Sequence, residues 1–140
     1  MQLKDSTISG NHAGDGGGIY IRQGNFVTIT ETDIAANVAH DGGGLFNKFI
    51  GSDETLSGTK FVNNHAGADG GGIYNDNGVN GDNGLNWSAA NMQIIGNIAG
   101  SAGGGIFNNG PAAATLTTSL VNANKPTNCA PAGSVAGCSG

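Results

Sequence analysis

Three aspartates stand at the same place in successive copies of a short motif, and together they could bind a cation. Asp15, Asp41 and Asp69 each directly precede a run of three glycines, and Ala102 occupies this place in the next copy. Carboxylates a few ångströms apart repel one another unless a cation or a hydrogen-bond donor lies between them. Because Ca²⁺ prefers carboxylate oxygens, the pattern suggests a calcium site. The alternative is that these side chains are turn residues that point into water.

An aromatic residue follows each glycine run by two positions. These aromatic residues are Tyr20, Phe46, Tyr74 and Phe107. If the aliphatic residue before each one points into a core, the alternation of a strand turns the ring outward. A row of rings on the surface would form a platform for sugar rings or for a partner protein. The alternative is that the rings fill a corner of the core or are covered by a neighbouring loop.

These candidate residues follow an internal repeat. Runs of three glycines occupy residues 16–18, 42–44, 70–72 and 103–105. An asparagine series has the same period and consists of Asn11, Asn37, Asn64, Asn97 and Asn124. Successive asparagines are 26, 27, 33 and 27 residues apart. One repeat is therefore about 27 residues long, and the longest interval carries an insertion at about residues 76–90.

Apolar residues return in register within each repeat. Three residues before each asparagine stand Ile8, Ile34, Phe61, Ile94 and Val121. Eight residues before each asparagine stand Leu3, Ile29, Leu56, Ala89 and Leu116. Apolar residues that alternate with polar ones over a short stretch indicate strands with one buried face, and the Gly-Gly-Gly-Ile-Tyr segment supplies a third strand. The sequence predicts an all-β parallel β-solenoid of about five rungs, with three short strands per turn of about 27 residues.

The asparagines have a structural role in this prediction. Asparagine tolerates a left-handed backbone at a corner of the solenoid. Stacked amides can also form hydrogen bonds from one rung to the next, as they do in asparagine ladders. The five asparagines are therefore expected to form a ladder along the solenoid.

The two ends of the chain depart from the repeat. The solenoid is expected over residues 1–125, and residues 126–140 are expected to form a C-terminal cap loop in which Pro126 and Pro131 stop strand pairing. Cys129 and Cys138 are expected to close a disulfide in this loop, with two free thiols as the alternative. Because Met1 lies within the first strand, the N-terminal rung is expected to be uncapped and open to self-association.

The chain offers little that could perform catalysis. Arg22 is its only arginine, and we find neither a strained turn that presents a nucleophilic serine nor a phosphate-binding loop. His12 and His65 occupy the same column two rungs apart, so that about 10 Å separates the two residues. This distance is too long for both to bind one metal ion without further ligands. We therefore expect no enzyme activity and no cofactor other than calcium. A net charge of -5 with scattered lysines argues against nucleic-acid binding, and no apolar run is long enough for membrane insertion.

The repeat resembles a known family. The segment Phe61-Val62-Asn63-Asn64, followed by Gly70-Gly71-Gly72-Ile73-Tyr74-Asn75, is similar to right-handed parallel β-helix repeats of bacterial surface and secreted proteins. Chlamydial polymorphic outer-membrane proteins carry similar Gly-Gly-aliphatic and Phe-x-x-Asn signatures. The resemblance implies a right-handed parallel β-helix and an extracellular or cell-surface location.

The leading interpretation of function is a non-catalytic structural or adhesive module. A carbohydrate-binding or ice-binding solenoid is one alternative, and an end-to-end self-assembling fibre subunit is another. Ice binding normally needs matched columns of threonine. The column that begins at Thr7 continues with Asp33, Lys60 and Gln93, which do not match.

Overall fold

The computed structural model describes residues 1–22, 26–48, 53–76, 87–111 and 113–139 of the protein. Within these ranges the chain forms 19 short strands and no helix. Every strand pair is parallel, and each strand pairs with its counterpart about one repeat away. The fold is the expected parallel β-helix. Its right-handed sense and the number of rungs stay predictions.

The described strands form four sheets, which we call A to D in the order in which one turn of the chain, from Phe26 to Asn47, passes through them. Sheet A contains Gln2–Lys4, Phe26–Thr30, Asp53–Ser57, Trp87–Ala90, Ala114–Thr117 and Val135–Ala136. Sheet B contains Thr7–Ser9, Asp33–Ala35, Lys60–Val62, Gln93–Ile95 and Leu120–Asn122. Sheet C contains Val38–Ala39, His65–Ala66 and Ile98–Ala99. Sheet D contains Ile19–Ile21, Leu45–Asn47, Ile73–Asp76, Ile106–Asn109 and Cys129–Ala130.

Sheet C departs from the expectation of three strands per turn. Its strands are only two residues long and directly follow the ladder asparagines. Such a short strand buries a single residue, for example Ala66, and leaves too few residues for the alternation to be visible in the sequence.

The predicted apolar columns form the core. Ile34, Phe61 and Ile94 are fully buried in sheet B, and Ile29 and Leu56 are almost fully buried in sheet A. Leu3 and Ile8 in the first rung are only partly buried and pack against this cluster. The expected self-association through this rung stays a prediction.

The asparagines lie inside the corner between sheets B and C, but they do not supply its left-handed backbone. The positive φ belongs to the residue directly before each one, such as Ala36 with φ 53° and Asn63 with φ 54°. The expectation that the ladder asparagines themselves adopt the left-handed conformation was wrong. Their side chains point inward and their amides stack, so that each corner uses one residue to turn and the next to form hydrogen bonds.

The C-terminal segment is more than a loop. Cys129–Ala130 pairs with Ile106 and Phe107, and Val135–Ala136 pairs with Ala114 and Thr115, so that sheets D and A both continue past the prolines. The expectation that the prolines end strand pairing was wrong. The disulfide between Cys129 and Cys138 is present, as expected. Within the described ranges, no helix has the length and apolar character needed to cross a membrane.

The insertion expected at about residues 76–90 stays a prediction. Asp76 ends a strand of sheet D, and Trp87–Ala90 is a strand of sheet A. The intervening residues 77–86 lie outside the described residues.

Candidate functional site

The five predicted ladder asparagines form one continuous hydrogen-bonded row. From Asn11 to Asn124, each Nδ2 donates to the Oδ1 of the next asparagine over 2.9–3.1 Å. The same Oδ1 accepts the backbone N–H of the previous ladder residue, and Nδ2 also donates to a carbonyl such as Ile34 O or Phe61 O. The row ends where Asn124 Nδ2 donates to Asn128 Oδ1 over 3.0 Å. Between Asn37 and Asn97 the amide groups are therefore committed to structure rather than to a ligand.

A second asparagine row lies in sheet D, and the sequence reasoning missed it. Asn47 Nδ2 donates to Asn75 Oδ1 over 3.0 Å, and Asn75 Nδ2 donates to Asn108 Oδ1 over 2.8 Å. Asn108 Nδ2 in turn donates to the carbonyl of Ser134 in the C-terminal segment. The signal was present, because an asparagine follows the aromatic residue in these three repeats.

The predicted aromatic residues form a stacked row on the outer side of sheet D. Ring centroids are 5.0 Å apart between Tyr20 and Phe46, 4.7 Å between Phe46 and Tyr74, and 5.3 Å between Tyr74 and Phe107. In the first two pairs the ring planes are nearly parallel, with interplanar angles of 9° and 6°. Each inner ring therefore has a neighbour on both faces. Phe46 is 9% exposed, whereas Tyr20 at the end of the row is 45% exposed.

This stacking changes what the aromatic row can do. A platform for sugar rings needs ring faces that are open to the ligand, since sugars pack on the face of an aromatic ring. Here the faces of Phe46 and Tyr74 are covered by their neighbours, and the row presents ring edges to its surroundings. The geometry favours a stabilising role for the row over the expected sugar platform.

Tyr74 also has a polar contact. Its hydroxyl oxygen accepts a hydrogen bond from Asn109 Nδ2 over 2.7 Å. Burial raises the pKa of Tyr74 to about 12, and the nearby carboxylates of Asp76 and Asp41 act in the same direction. The phenol is therefore neutral at ordinary pH and acts as a fixed hydrogen-bonding group.

The predicted aspartate row is only partly brought together. Asp15 and Asp41 are paired across adjacent rungs, and His40 Nδ1 lies 3.1 Å from Asp41 Oδ2. Potential metal-binding atoms of Asp15, His40 and Asp41 all lie within 4.8 Å of one another. Asp69 is not in this group, although Asp41 Oδ1 accepts its backbone N–H over 2.8 Å.

The cluster of Asp15, His40 and Asp41 contains a nitrogen donor, which the expected site of three aspartates does not. Burial raises the pKa of Asp69, an effect that the backbone N–H of Ala102 opposes and the charge of Asp41 reinforces. An imidazole nitrogen beside two carboxylates suits a transition metal better than Ca²⁺, which takes six to eight oxygen ligands. The calcium site at Asp15, Asp41 and Asp69 stays a prediction.

The histidine column has the predicted spacing. His12 and His65 each pair with Val38, one from either side, so that a whole rung separates them. This arrangement gives the two imidazoles no common metal ion.

Glu54 is a half-buried residue with a buried carboxylate oxygen, and the sequence reasoning did not identify it. Its register partner in sheet A is Val27, and Trp87 occupies the same inward column on the next rung. Glu54 Oε2 accepts a hydrogen bond from Asn47 Nδ2 over 3.0 Å. Burial raises the pKa of Glu54 to about 7, and the Asn47 bond opposes this shift. Glu54 Oε1, Asn47 Oδ1 and Trp87 Nε1 are buried without a hydrogen-bond partner.

Two segments of the chain match the repeat of Chlamydia polymorphic membrane proteins, over residues 5–22 and 58–76. Both segments contain a ladder asparagine, a glycine run and a tyrosine of the aromatic row. No curated protein and no solved structure matches the chain significantly. The matched segments lie two rungs apart, with the rung of Asn37 and Phe46 between them, and they supply Asn11 and Tyr20 in one turn and Asn64 and Tyr74 in the other. Residues 5–22 and 58–76 are thus similar to the repeat of Chlamydia polymorphic membrane proteins.

Proposed function

We propose that the chain is a non-catalytic structural module of a bacterial surface protein and that it presents adhesive faces outside the cell. The observation that carries this proposal is that the most regularly repeated side chains bind neighbouring rungs to one another. The inner amides of the asparagine ladder form hydrogen bonds between rungs, and the inner rings of the aromatic row stack between rungs. Residues committed in this way stiffen a rod and leave its outer faces free to vary.

The repeat type supports the surface location. The matching repeat is named for Chlamydia polymorphic membrane proteins, and the disulfide between Cys129 and Cys138 suits an oxidising compartment. The location is tested by labelling intact cells of the bacterium that produces the protein with antibodies raised against the purified chain. Labelling of intact cells is the expected result, whereas labelling only after permeabilisation would contradict the surface location.

The adhesive role is tested by display on a bacterium that does not adhere by itself. The chain is fused to a heterologous surface anchor, and attachment to immobilised glycans and matrix proteins is counted. Attachment above that of the anchor alone is expected, and equal attachment would contradict the adhesive part of the proposal.

The non-catalytic part is tested with a panel of polysaccharides, on which we expect no release of new sugar ends. Asp41 lies in the one cluster of acidic and histidine side chains that the described residues bring together. Turnover that is abolished by Asp41→Asn would therefore overturn this part, with Asp33→Asn as a matched exposed control.

A further inference from the structure

The outer side of sheet A carries a regular array of hydroxyl groups. On four successive rungs, the first and third residues of a triplet in sheet A point outward and the middle residue points into the core. The triplets are Thr28-Ile29-Thr30, Thr55-Leu56-Ser57, Ser88-Ala89-Ala90 and Thr115-Leu116-Thr117. Seven of these eight outward residues are threonine or serine, and the eighth is Ala90. We call these eight positions the hydroxyl face. Sequence reasoning examined the column of Thr7 in sheet B and so missed it.

The register of sheet A aligns the hydroxyl face in two directions. Thr28 pairs with Thr55, Thr30 pairs with Ser57, and the same columns continue through Ser88 to Thr115 and through Ala90 to Thr117. Neighbouring rungs are about 4.8 Å apart, and alternate residues along a strand are about 6.7 Å apart. The side chains therefore form a two-dimensional lattice whose repeats are close to spacings between oxygen atoms in hexagonal ice.

The backbone that carries the hydroxyls of this face is fixed by buried residues, but the hydroxyls themselves form no hydrogen bonds with the described part of the protein. The middle residues of the triplets, such as Ile29 and Leu56, are buried and fix the backbone beneath. Nearby hydroxyls off the face behave differently, since Thr32 Oγ1 donates to Thr30 O and Thr59 Oγ1 donates to Ser57 O. Among the described residues, no hydroxyl of the face has a protein partner, and each is left to bind water.

None of the eight positions of the face is ionisable. Lys4, which pairs with Thr30 in sheet A and forms an exposed ion pair with Glu31, borders the face at the first rung, and Glu54 lines the depression between its rungs. Five of the seven hydroxyls belong to threonine, which adds a methyl group and whose branched side chain has few rotamers in a strand. Rigid, uncharged hydroxyls and methyls in a lattice suit a ligand that is itself a lattice of hydrogen-bonding groups.

From this array we propose that the hydroxyl face binds the surface of ice crystals. The ligand is crystalline water, held by hydrogen bonds to the hydroxyls while the methyl groups sit among ordered waters. The array is incomplete at one rung, where the short side chains of Ser88 and Ala90 border a depression that Thr55, Ser57 and Thr117 also line. The inference is independent of the adhesive role proposed above.

Thermal hysteresis and adsorption of the fluorescently labelled chain into a growing ice hemisphere test the proposal. The purified chain is expected to show both. Thr55→Lys places a mobile charge in the middle of the face and should abolish adsorption. Thr7→Lys makes the same change at an exposed position of sheet B and should leave adsorption unchanged.

A gain-of-function variant keeps the test clear of folding defects. Ala90→Thr adds the missing hydroxyl at a strand position that favours threonine, and it should strengthen adsorption. Circular dichroism and melting curves establish that each variant is folded. Absence of adsorption by the unaltered chain, or equal effects of Thr55→Lys and Thr7→Lys, would overturn the proposal. Binding to crystalline cellulose but not to ice would also overturn it and would assign the face to a polysaccharide.

Discussion

Asn64 Nδ2 donates a hydrogen bond to Asn97 Oδ1 over 3.0 Å, although 33 residues separate the two in sequence. The neighbouring pair, Asn37 and Asn64, makes the same contact over 3.1 Å across 27 residues. The longer interval therefore changes nothing at this corner of the solenoid. The described strands on either side of the additional residues end at Asp76 in sheet D and begin at Trp87 in sheet A.

Replacement of a central ladder asparagine should strongly destabilise the protein. In Asn64→Ala, the backbone N–H and Nδ2 of Asn37 lose their acceptor, and the carbonyl of Ile34 loses its donor. Buried groups left without partners cost about 1–3 kcal/mol each, so that a loss of about 3 kcal/mol or more is expected in chemical denaturation. Asn11→Ala is the matched control, because Asn11 is exposed at the end of the row and should cost less than about 1 kcal/mol. Equal losses would contradict the ladder's structural role.

The fold could be predicted because its signal is repeated. Five asparagines and two apolar columns return at the same interval, so that a single irregular turn does not hide the pattern. Sheet C could not be predicted, since a two-residue strand has no alternation. The left-handed corner was assigned to the wrong residue because Gly10, Ala36 and Asn63 share the conformation without sharing a residue type.

The candidate sites were harder to predict, because they depend on the relation between rungs. The aromatic row follows from the sequence, but stacked faces follow only from the rung spacing and the ring orientation. Glu54 lies in an inward column between Val27 and Trp87, two buried apolar residues of very different size that no shared motif assigns to one column. An isolated acidic residue in such a column is recognised as buried only when the register is known.

Glu54 should make the protein less stable as the pH rises. Its pKa is raised from 4.5 to about 7 in the folded state, so the folded protein holds this proton more tightly than the unfolded chain does. The stabilisation is complete below pH 4.5 and is lost as the pH rises to about 7, which amounts to about 3 kcal/mol. In Glu54→Gln this contribution is absent, and the added amide can donate to Asn47 Oδ1.

The measurement is the free energy of unfolding by urea at several pH values. The difference between Glu54→Gln and the unaltered protein should grow in favour of the variant between pH 4.5 and about 7. Glu31→Gln, at the chain's other glutamate, is the control because its side chain is 63% exposed. A difference that is the same at all pH values would show that Glu54 ionises normally.

The aromatic row should contribute to stability according to ring position. Phe46 is packed between Tyr20 and Tyr74 and is almost buried, so Phe46→Ala should cost about 3 kcal/mol. Tyr20 has one ring neighbour and is 45% exposed, so Tyr20→Ala should cost about 1 kcal/mol. Both values come from urea denaturation. A larger loss at Tyr20, or sugar binding that Phe46→Ala removes, would restore the interpretation of the row as a sugar platform.

The middle glycine of each run should be intolerant of any side chain. A Cβ on Gly71 would lie 2.5 Å from the carbonyl oxygens of both Gly104 and Ile98, which belong to the next rung. These are backbone atoms, so the clash can be relieved only by moving the rungs apart. Gly71→Ala should therefore destabilise the protein by about 3 kcal/mol, at the upper end of the cost of overpacking. Gly14→Ala is the control, because a Cβ there would meet nothing within 4 Å. It should be neutral or slightly stabilising through the smaller entropy of the unfolded chain. If both variants unfold at the same urea concentration, close packing of the glycine runs is not what sets the spacing of the rungs.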